Sequence, residues 1–286
     1  MKAIKLAGIY INRDKNYSIE TAKQCIAYFN ARDVQVCMLA KQLIDTDLQD
    51  VETCDSTYFY TKPDCIITLG GDGTLLGVAR RAAKAEIPIC GINLGKLGFL
   101  TDGDTDELEQ ILSGLCSGDY QIESRMMLNC KIVKAEGTYS EYIGLNDITV
   151  QSRGMRMIGL RATCDGELLD AFRADGVVIS SPTGSTAYSL AAGGPIVMPG
   201  AEVLLFNPIC PHRMHDRAYV IPPEKTIALT FPEKTRDIEV CIDGQIFLTA
   251  ADDDMVTVTR AAEHANIIRP ADFSFFKRLR HKLSLG

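Results

Sequence analysis

The chain lacks any apolar run approaching the roughly 20 residues that a membrane-spanning helix needs, and no membrane association is expected from it. Its opening MKAIKLAGIYIN is short and alternating. No small-residue cleavage site follows before the polar stretch Arg13–Ser18, so it reads as a first strand and not as a leader. Positive charge is also in deficit. Lys and Arg number 30 against 37 Asp and Glu, a formal net charge of −7. That argues against a nucleic-acid binder, which needs a basic footprint. It does not exclude a nucleotide, because local dipoles and Mg²⁺ can supply positive charge. The one basic cluster, Lys277–Lys282, reads as a solvated final turn.

Ten cysteines are present without a single Cys-x-x-Cys pair, and the four histidines form no zinc constellation. Cys210, His212 and His215 supply too few ligands for a metal, so no protein-held metal site is expected. Dispersed cysteines inside apolar runs, such as Cys65 and Cys90, read as small buried hydrophobes in a reducing compartment. A cytoplasmic protein is the expectation. Also missing are a Gly-Lys-Ser/Thr phosphate loop and a Gly-x-Gly-x-x-Gly fingerprint, which disfavours a hydride-transfer Rossmann enzyme. No internal repeat or low-complexity linker separates one part from another.

What is there suits a globular protein. The 286 residues, 46% apolar and 23% charged, can bury a substantial core without staples. Up to about residue 115 strand and helix signals alternate: strands at 3–11, 34–39, 65–69 and 87–92, helices at 18–31, 74–85 and 104–115, the last capped by Asp104 or Thr105. Short buried strands alternating with helices imply a Rossmann-like parallel sheet. After Gly118 the pattern becomes a succession of strands punctuated by Asp165-Gly166, Pro222-Pro223 and Asp243-Gly244. The expectation is an α/β domain over 1–118, with the tail 265–286 packing back on it, and a β-rich, sandwich-like domain over 119–264. The two are expected to share an interface, where ligand sites are common.

Four segments carry chemistry. In Ile66–Leu76 an apolar strand ends in Gly70-Gly71-Asp72-Gly73 and a helix pattern begins at once. Such a turn lies beyond the carboxyl end of a parallel strand, where open α/β sheets bind ligands. Its glycines let backbone approach a phosphate, and the helix start directs N–H groups there. Asp72 could accept a proton from a hydroxyl or hold Mg²⁺; as bare pattern, a helix-capping Asp72 is equally acceptable. In Asp175–Pro195 a β-run leads into Ser180-Ser181-Pro182-Thr183-Gly184-Ser185-Thr186-Ala187-Tyr188, rich in hydroxyls and carrying a ring for stacking. The alternative there is a Ser/Thr turn capping a helix at Thr186. Asn146-Asp147 suits the vicinal diol of a ribose, although such a pair alone is more often a turn. Asp243-Gly244-Gln245 reads alone as a hairpin turn.

Together with Gly91-Ile92-Asn93, Gly98-Phe99-Leu100 and Cys210-Pro211-His212, these segments resemble the NAD kinase family, and they occur in the family's order over most of the chain. Lipid and sphingosine kinases share only Gly-Gly-Asp-Gly, so the Ser181–Tyr188 segment makes the choice. The resemblance implies phosphorylation of the adenosine 2′-hydroxyl of NAD by ATP or polyphosphate with Mg²⁺ or another divalent cation, in a homodimer or homotetramer. It implies Asp72 as general base with Gly71 and Gly73 against the nucleotide, and Asn146 and Asp147 on ribose hydroxyls. Thr186, Ala187 and Tyr188 would line the adenine pocket with Ser189 and Ala191 beside it, and Asp175 and Gln245 would contact the dinucleotide, across a subunit interface in one arrangement. Arg156 and Arg173 are candidate diphosphate partners that no motif fixes, and His212 a candidate neighbour of NAD. Two positions depart from the family: Asp147 stands where Glu is usual, and Ala191 where Ser is common. The rival readings are a lipid kinase and a nucleotide sensor without catalysis.

Overall fold

Continuous apolar runs form the central strands of the first part of the molecule, and Cys65–Gly70 is buried at all six positions. The computed structural model describes residues 1–95, 98–103, 107–154, 156–213, 217–233 and 238–283. These fall into two units, Met1–Ser124 with Ala265–Gly286, and Arg125–His264.

The first unit runs β1 (Leu6–Ile11), α1 (Ser18–Asn30), β2 (Gln35–Leu39), α2 (Ala40–Leu43), β3 (Glu52–Cys54), α3 (Ser56–Phe59), β4 (Cys65–Gly70), α4 (Asp72–Ala82), β5 (Ile89–Asn93) and α5 (Leu108–Ser117). Its strands are ordered β3-β2-β1-β4-β5, all neighbours parallel. From β1 the chain builds outward to β3, then returns to place β4 on the other side of β1. The carboxyl ends of β1 and β4 therefore flank a topological switch point, the crevice where such sheets take ligands. Helix α1 buries Ala22, Cys25, Ile26 and Phe29 at helical spacing against the sheet. Helix α5 stops at Gly118, whose φ of 81° is the left-handed conformation that ends helices.

The second unit holds two antiparallel sheets and a short helix, in the order β6 (Tyr120–Val133), β7 (Tyr139–Gly144), β8 (Asp147–Ser152), β9 (Ile158–Cys164), β10 (Glu167–Ala174), β11 (Gly176–Ser180), α6 (Tyr188–Ala191), β12 (Leu204–Ile209), β13 (Tyr219–Ile221), β14 (Ile227–Thr230), β15 (Ile238–Ile242), β16 (Ile246–Ala250) and β17 (Met255–Pro270). One sheet is ordered β13-β12-β11-β8-β15-β16. In the other, β10, β9, β14 and β17 lie side by side and β6 joins β17 to β7. Alternate residues of both sheets, Ile238, Val240 and Ile242 from one and Ile158, Leu160 and Ala162 from the other, share one core. The ends of β6 and β17 run into the first unit, where Ile267 pairs in parallel with Ile89.

A mostly parallel α/β sheet followed by antiparallel sheets is the fold class expected from the sequence. The details differ in instructive ways. The units divide after Ser124, within β6, a few residues beyond the change of pattern at Gly118. Helix α4 starts at Asp72, two residues earlier than its apolar pattern suggests, since Gly71 supplies the extended residue at its start. Asp104 and Thr105 lie outside the described residues. The basic cluster at the end lies in a nine-residue helix, α7 (Phe275–Leu283), which buries no residue, as a solvated final turn would not; one of its arginines, Arg278, bonds the Thr101 carbonyl. All ten cysteines are free thiols and seven are buried. Burial pushes the Cys25, Cys65 and Cys130 thiols up to about 12, which keeps them unreactive.

Candidate active site

In the first unit, the turn after β4 delivers Asp72 to the first position of α4, where a carboxylate suits the helix dipole. Asp72 is not a helix cap. Its side chain reaches across to residues 99–101. Oδ1 accepts from the amide of Leu100 at 3.1 Å, the amide of Thr101 at 3.0 Å and the Thr101 hydroxyl at 3.1 Å. Oδ2 accepts from the Phe99 amide at 2.7 Å. An ionised carboxylate offers about four acceptor positions, two on each oxygen. Oδ1 is therefore saturated, while Oδ2 keeps one position open among the described residues.

The glycines before it act differently from one another. A β-carbon on Gly70 would stand 2.4 Å from the Thr74 hydroxyl, so its absence lets α4 close onto β4. That hydroxyl also accepts from Asn12, just past β1. A β-carbon on Gly71 would meet nothing within 4 Å, so this side of the turn is open to an incoming group. Gly73 is exposed on the first turn of α4.

In the second unit a cavity of about 380 Å³ lies beside the start of β8. Asn146, Asp147, Ala187 and Tyr188 line it. The loop bearing Tyr188 is tied to the Asn-Asp turn: the Ser181 hydroxyl donates to Leu145 O, and the Ser181 amide and Ser180 hydroxyl both donate to Asn146 O. Gly184 permits this approach, since a β-carbon there would stand 2.1 Å from Asn146 O. Asp243 holds the turn from the other side, accepting the amides of Leu145, Asn146 and Asp147. Asp243 and Gly244 both have positive φ, as a tight hairpin turn requires.

This packing leaves two unusual groups at the cavity. Burial, together with the Asp243 carboxylate, pushes the Asp147 carboxyl up to about 7 against a weak contact from Thr149. The Asn146 side-chain oxygen is buried and has no hydrogen-bond partner, a position at which a ligand donor would be rewarded. Tyr188 and Phe247 present aromatic surface, 43% and 57% exposed. Burial raises the Tyr188 phenol, and the charges of Cys210, Asp147 and Asp175 add to this.

Other expected residues are placed as follows. Ala187 lines the cavity, whereas Thr186 points its hydroxyl back to Thr183 O and caps no helix. Ser189 is fully buried, with its hydroxyl against Gly194. Ala191 and Gln245 are exposed, the latter just past the Asp243-Gly244 turn. Asp175 is exposed at the start of β11. Arg156 is exposed ahead of β9, and Arg173 pairs with Glu233 at 3.4 Å. His212 is exposed, its amide on Arg173 O; His215 lies outside the described residues. Phe247 and Thr149, both at the cavity, carried no signal in the sequence beyond ordinary strand alternation. Among the described residues no three His, Cys, Asp or Glu side chains converge as a cation site would require.

Comparison with known proteins gives these features a setting. Residues 7–120 match the ATP-NAD kinase N-terminal domain, and residues 145–270 match the ATP-NAD kinase C-terminal domain. An NAD kinase of Thermoanaerobacter sp. (strain X514) is 37% identical over 284 residues, 98% of this chain and 99% of the relative. Two crystal structures share the fold at 24% identity. Yeast NADH kinase, complexed with NADH, has a TM-score of 0.88 and is matched over 99% of this chain and 88% of its own. An NAD kinase from Archaeoglobus fulgidus in complex with ATP has a TM-score of 0.75 over 98% of each chain. Matched in both halves and along nearly its whole length, the chain belongs to the NAD kinase family, enzymes that convert NAD to NADP.

Proposed function

We propose that in this NAD kinase Asp72 is the general base for transfer of the γ-phosphoryl group of ATP to the adenosine 2′-hydroxyl of NAD. The reading is carried by one observation, the unequal loading of the Asp72 carboxylate. Three donors saturate Oδ1, and Oδ2 accepts from Phe99 alone. A hydroxyl can thus donate to Oδ2 without displacing any bond that orients the group. As the 2′-oxygen attacks the γ-phosphorus, its proton passes to Oδ2, the bond to the β–γ bridging oxygen breaks, and ADP leaves. Positioning and charge neutralisation do most of the work in such transfers.

Gly71, with open space over its α-carbon, and Gly73 at the start of α4 lie against the nucleotide. The divalent cation, Mg²⁺ in this reading, enters with ATP; the single open position on Asp72 suits one contact and not a protein-built cation cage. Asn146 and Asp147 hold ribose hydroxyls, Asp147 through a water because its arm is one methylene shorter than the usual Glu. Ala187 and Tyr188 receive the adenine, with Thr186, Ser189 and Ala191 shaping the loop around it. Asp175 and Gln245 contact the dinucleotide in a homodimer or homotetramer, while Arg156 and Arg173 serve the diphosphate and His212 approaches it. The first unit is the phosphate-binding domain and the second the NAD-binding domain. Ten free thiols support a reducing, cytoplasmic setting, and no described helix is long and apolar enough to cross a membrane.

The test is to incubate purified protein with NAD and either ATP or polyphosphate, with Mg²⁺ or with a chelator, and to follow NADP. Formation of NADP from ATP that stops on chelation is the expected result. Undiminished turnover in excess chelator would remove the cation from the scheme.

A further inference from the structure

The amides that hold Asp72 are themselves held from behind. Residues 98–101 form a short wall of peptide planes whose N–H edges face Asp72 and whose carbonyl edges face two arginines near the end of the chain. Arg278, on α7, donates to Gly98 O, to Thr101 O and to Asp102 Oδ1. Arg269, at the end of β17, donates to Phe99 O at 3.1 Å, to Leu100 O at 3.0 Å and to Asp102 Oδ2 at 2.6 Å. All four carbonyls are therefore taken by guanidinium groups.

The pairing is ordered plane by plane. The peptide joining Gly98 to Phe99 carries Arg278 on its oxygen and Asp72 on its nitrogen. The peptides joining Phe99 to Leu100 and Leu100 to Thr101 carry Arg269 on oxygen and Asp72 on nitrogen. Three consecutive peptide units thus link a cation to the same carboxylate. A carbonyl that accepts from a cation polarises its amide, and hydrogen bonds in such a chain strengthen one another. The guanidiniums both fix the direction of the N–H groups and make them better donors.

The two arginines are not equivalent in what they support. Arg269 is completely buried and also pairs with Glu123. Removing one partner of such a buried pair leaves an uncompensated charge in the interior, so its loss threatens the unit itself. Helix α7 has no buried residues. It meets the loop through Arg278, whose side chain is 11% exposed, and through Lys282 above the Phe99 ring. Arg278 therefore stands at the margin of the buried cluster, holding one oxygen of Asp102 while Arg269 holds the other.

The geometry points to Arg278 as a positioning residue for catalysis: through the carbonyl of Gly98, whose peptide presents the Phe99 amide to Oδ2, it sets the orientation of Asp72. This rests on the reading of Asp72 as the base. Arg278→Ala lowers kcat about 10-fold or more and leaves KM for NAD within twofold, because the binding cavity is untouched. Guanidinium ion added to Arg278→Ala restores part of the lost kcat. Arg278→Lys, which keeps the charge but cannot span two carbonyls and a carboxylate, falls between the two. Arg280→Ala, the same charge change at an exposed site of α7, keeps wild-type kinetics.

A double substitution separates this proposal from the one beneath it. Asp72→Asn with Arg278→Ala is expected to be no slower than Asp72→Asn alone, since Arg278 works only through that carboxylate. Additive losses in the double variant, or an Arg278→Ala defect confined to KM or shared by Arg280→Ala, overturn the role of Arg278. Should Arg278→Ala not fold, the same comparisons are made with Arg278→Lys. Full activity of Asp72→Asn instead overturns the base.

Discussion

Gly98 sits so close to Asp72 that a β-carbon on it would stand 1.8 Å from Oδ1 of the carboxylate. The position has no room for any side chain while Asp72 rests on the loop amides. Gly98→Ala is expected to expel the carboxylate from its four donors and to lower kcat about 10- to 100-fold. The displaced group is half-buried and can turn to water, so the melting temperature should change little. Kinetics and a thermal melt on the same preparation check this. A variant with normal kcat would mean that the loop amides are dispensable to Asp72.

Asp147 makes stability depend on pH. Its carboxyl is pushed up to about 7 in the folded protein, against about 3.9 in an unfolded chain. Between these values the folded state binds the extra proton, so the stability it contributes is present below about pH 4 and is lost as pH rises through 7. Asp147→Asn removes that loss. Relative to the parent, the variant should gain on the order of 2–4 kcal/mol in urea unfolding between pH 4.5 and 8. Parallel pH profiles for the two proteins would show that Asp147 is not held near neutrality.

Tyr188 and Phe247 offer rings at the mouth of the same cavity. Stacking of a base on an aromatic side chain is worth about 1–3 kcal/mol, so Tyr188→Ala should raise KM for NAD about 10-fold with KM for ATP unchanged. Phe247→Ala should act in the same direction and more weakly, because no hydroxyl-rich loop backs it. Steady-state kinetics with each substrate varied in turn decides the matter. A rise in KM for ATP alone would assign the cavity to the other nucleotide.

Much of the α/β unit was legible locally. Cys65–Gly70 is a continuous apolar run ending in glycine, and strand β4, the turn and the start of α4 followed from it. Elements of three or four residues, α2, β3 and α3, are too short to show a period and were not anticipated. The site was legible as residue types but not as contacts. Asp72 looked equally like a helix cap because its donors lie 27 to 29 residues away. The grip of Asp243 on residues 145–147 spans nearly a hundred residues, and the hairpin motif alone gives no hint of it. Arg278 was hidden most completely. In sequence it is one of several basic residues in a row, and its partners are 176 to 180 residues upstream. Local pattern records propensity and periodicity, whereas these contacts exist only once distant segments meet.

The general-base role of Asp72 is tested most directly by paired kinetics and calorimetry on Asp72→Asn. The amide is nearly the size of the carboxylate but takes up no proton. General-base catalysis is worth about 10²–10⁴-fold, so kcat for NADP formation should fall by that factor while the dissociation constant for NAD stays within threefold of the parent. A kcat within a few-fold of the parent, or a loss traced wholly to failed NAD binding, would contradict it.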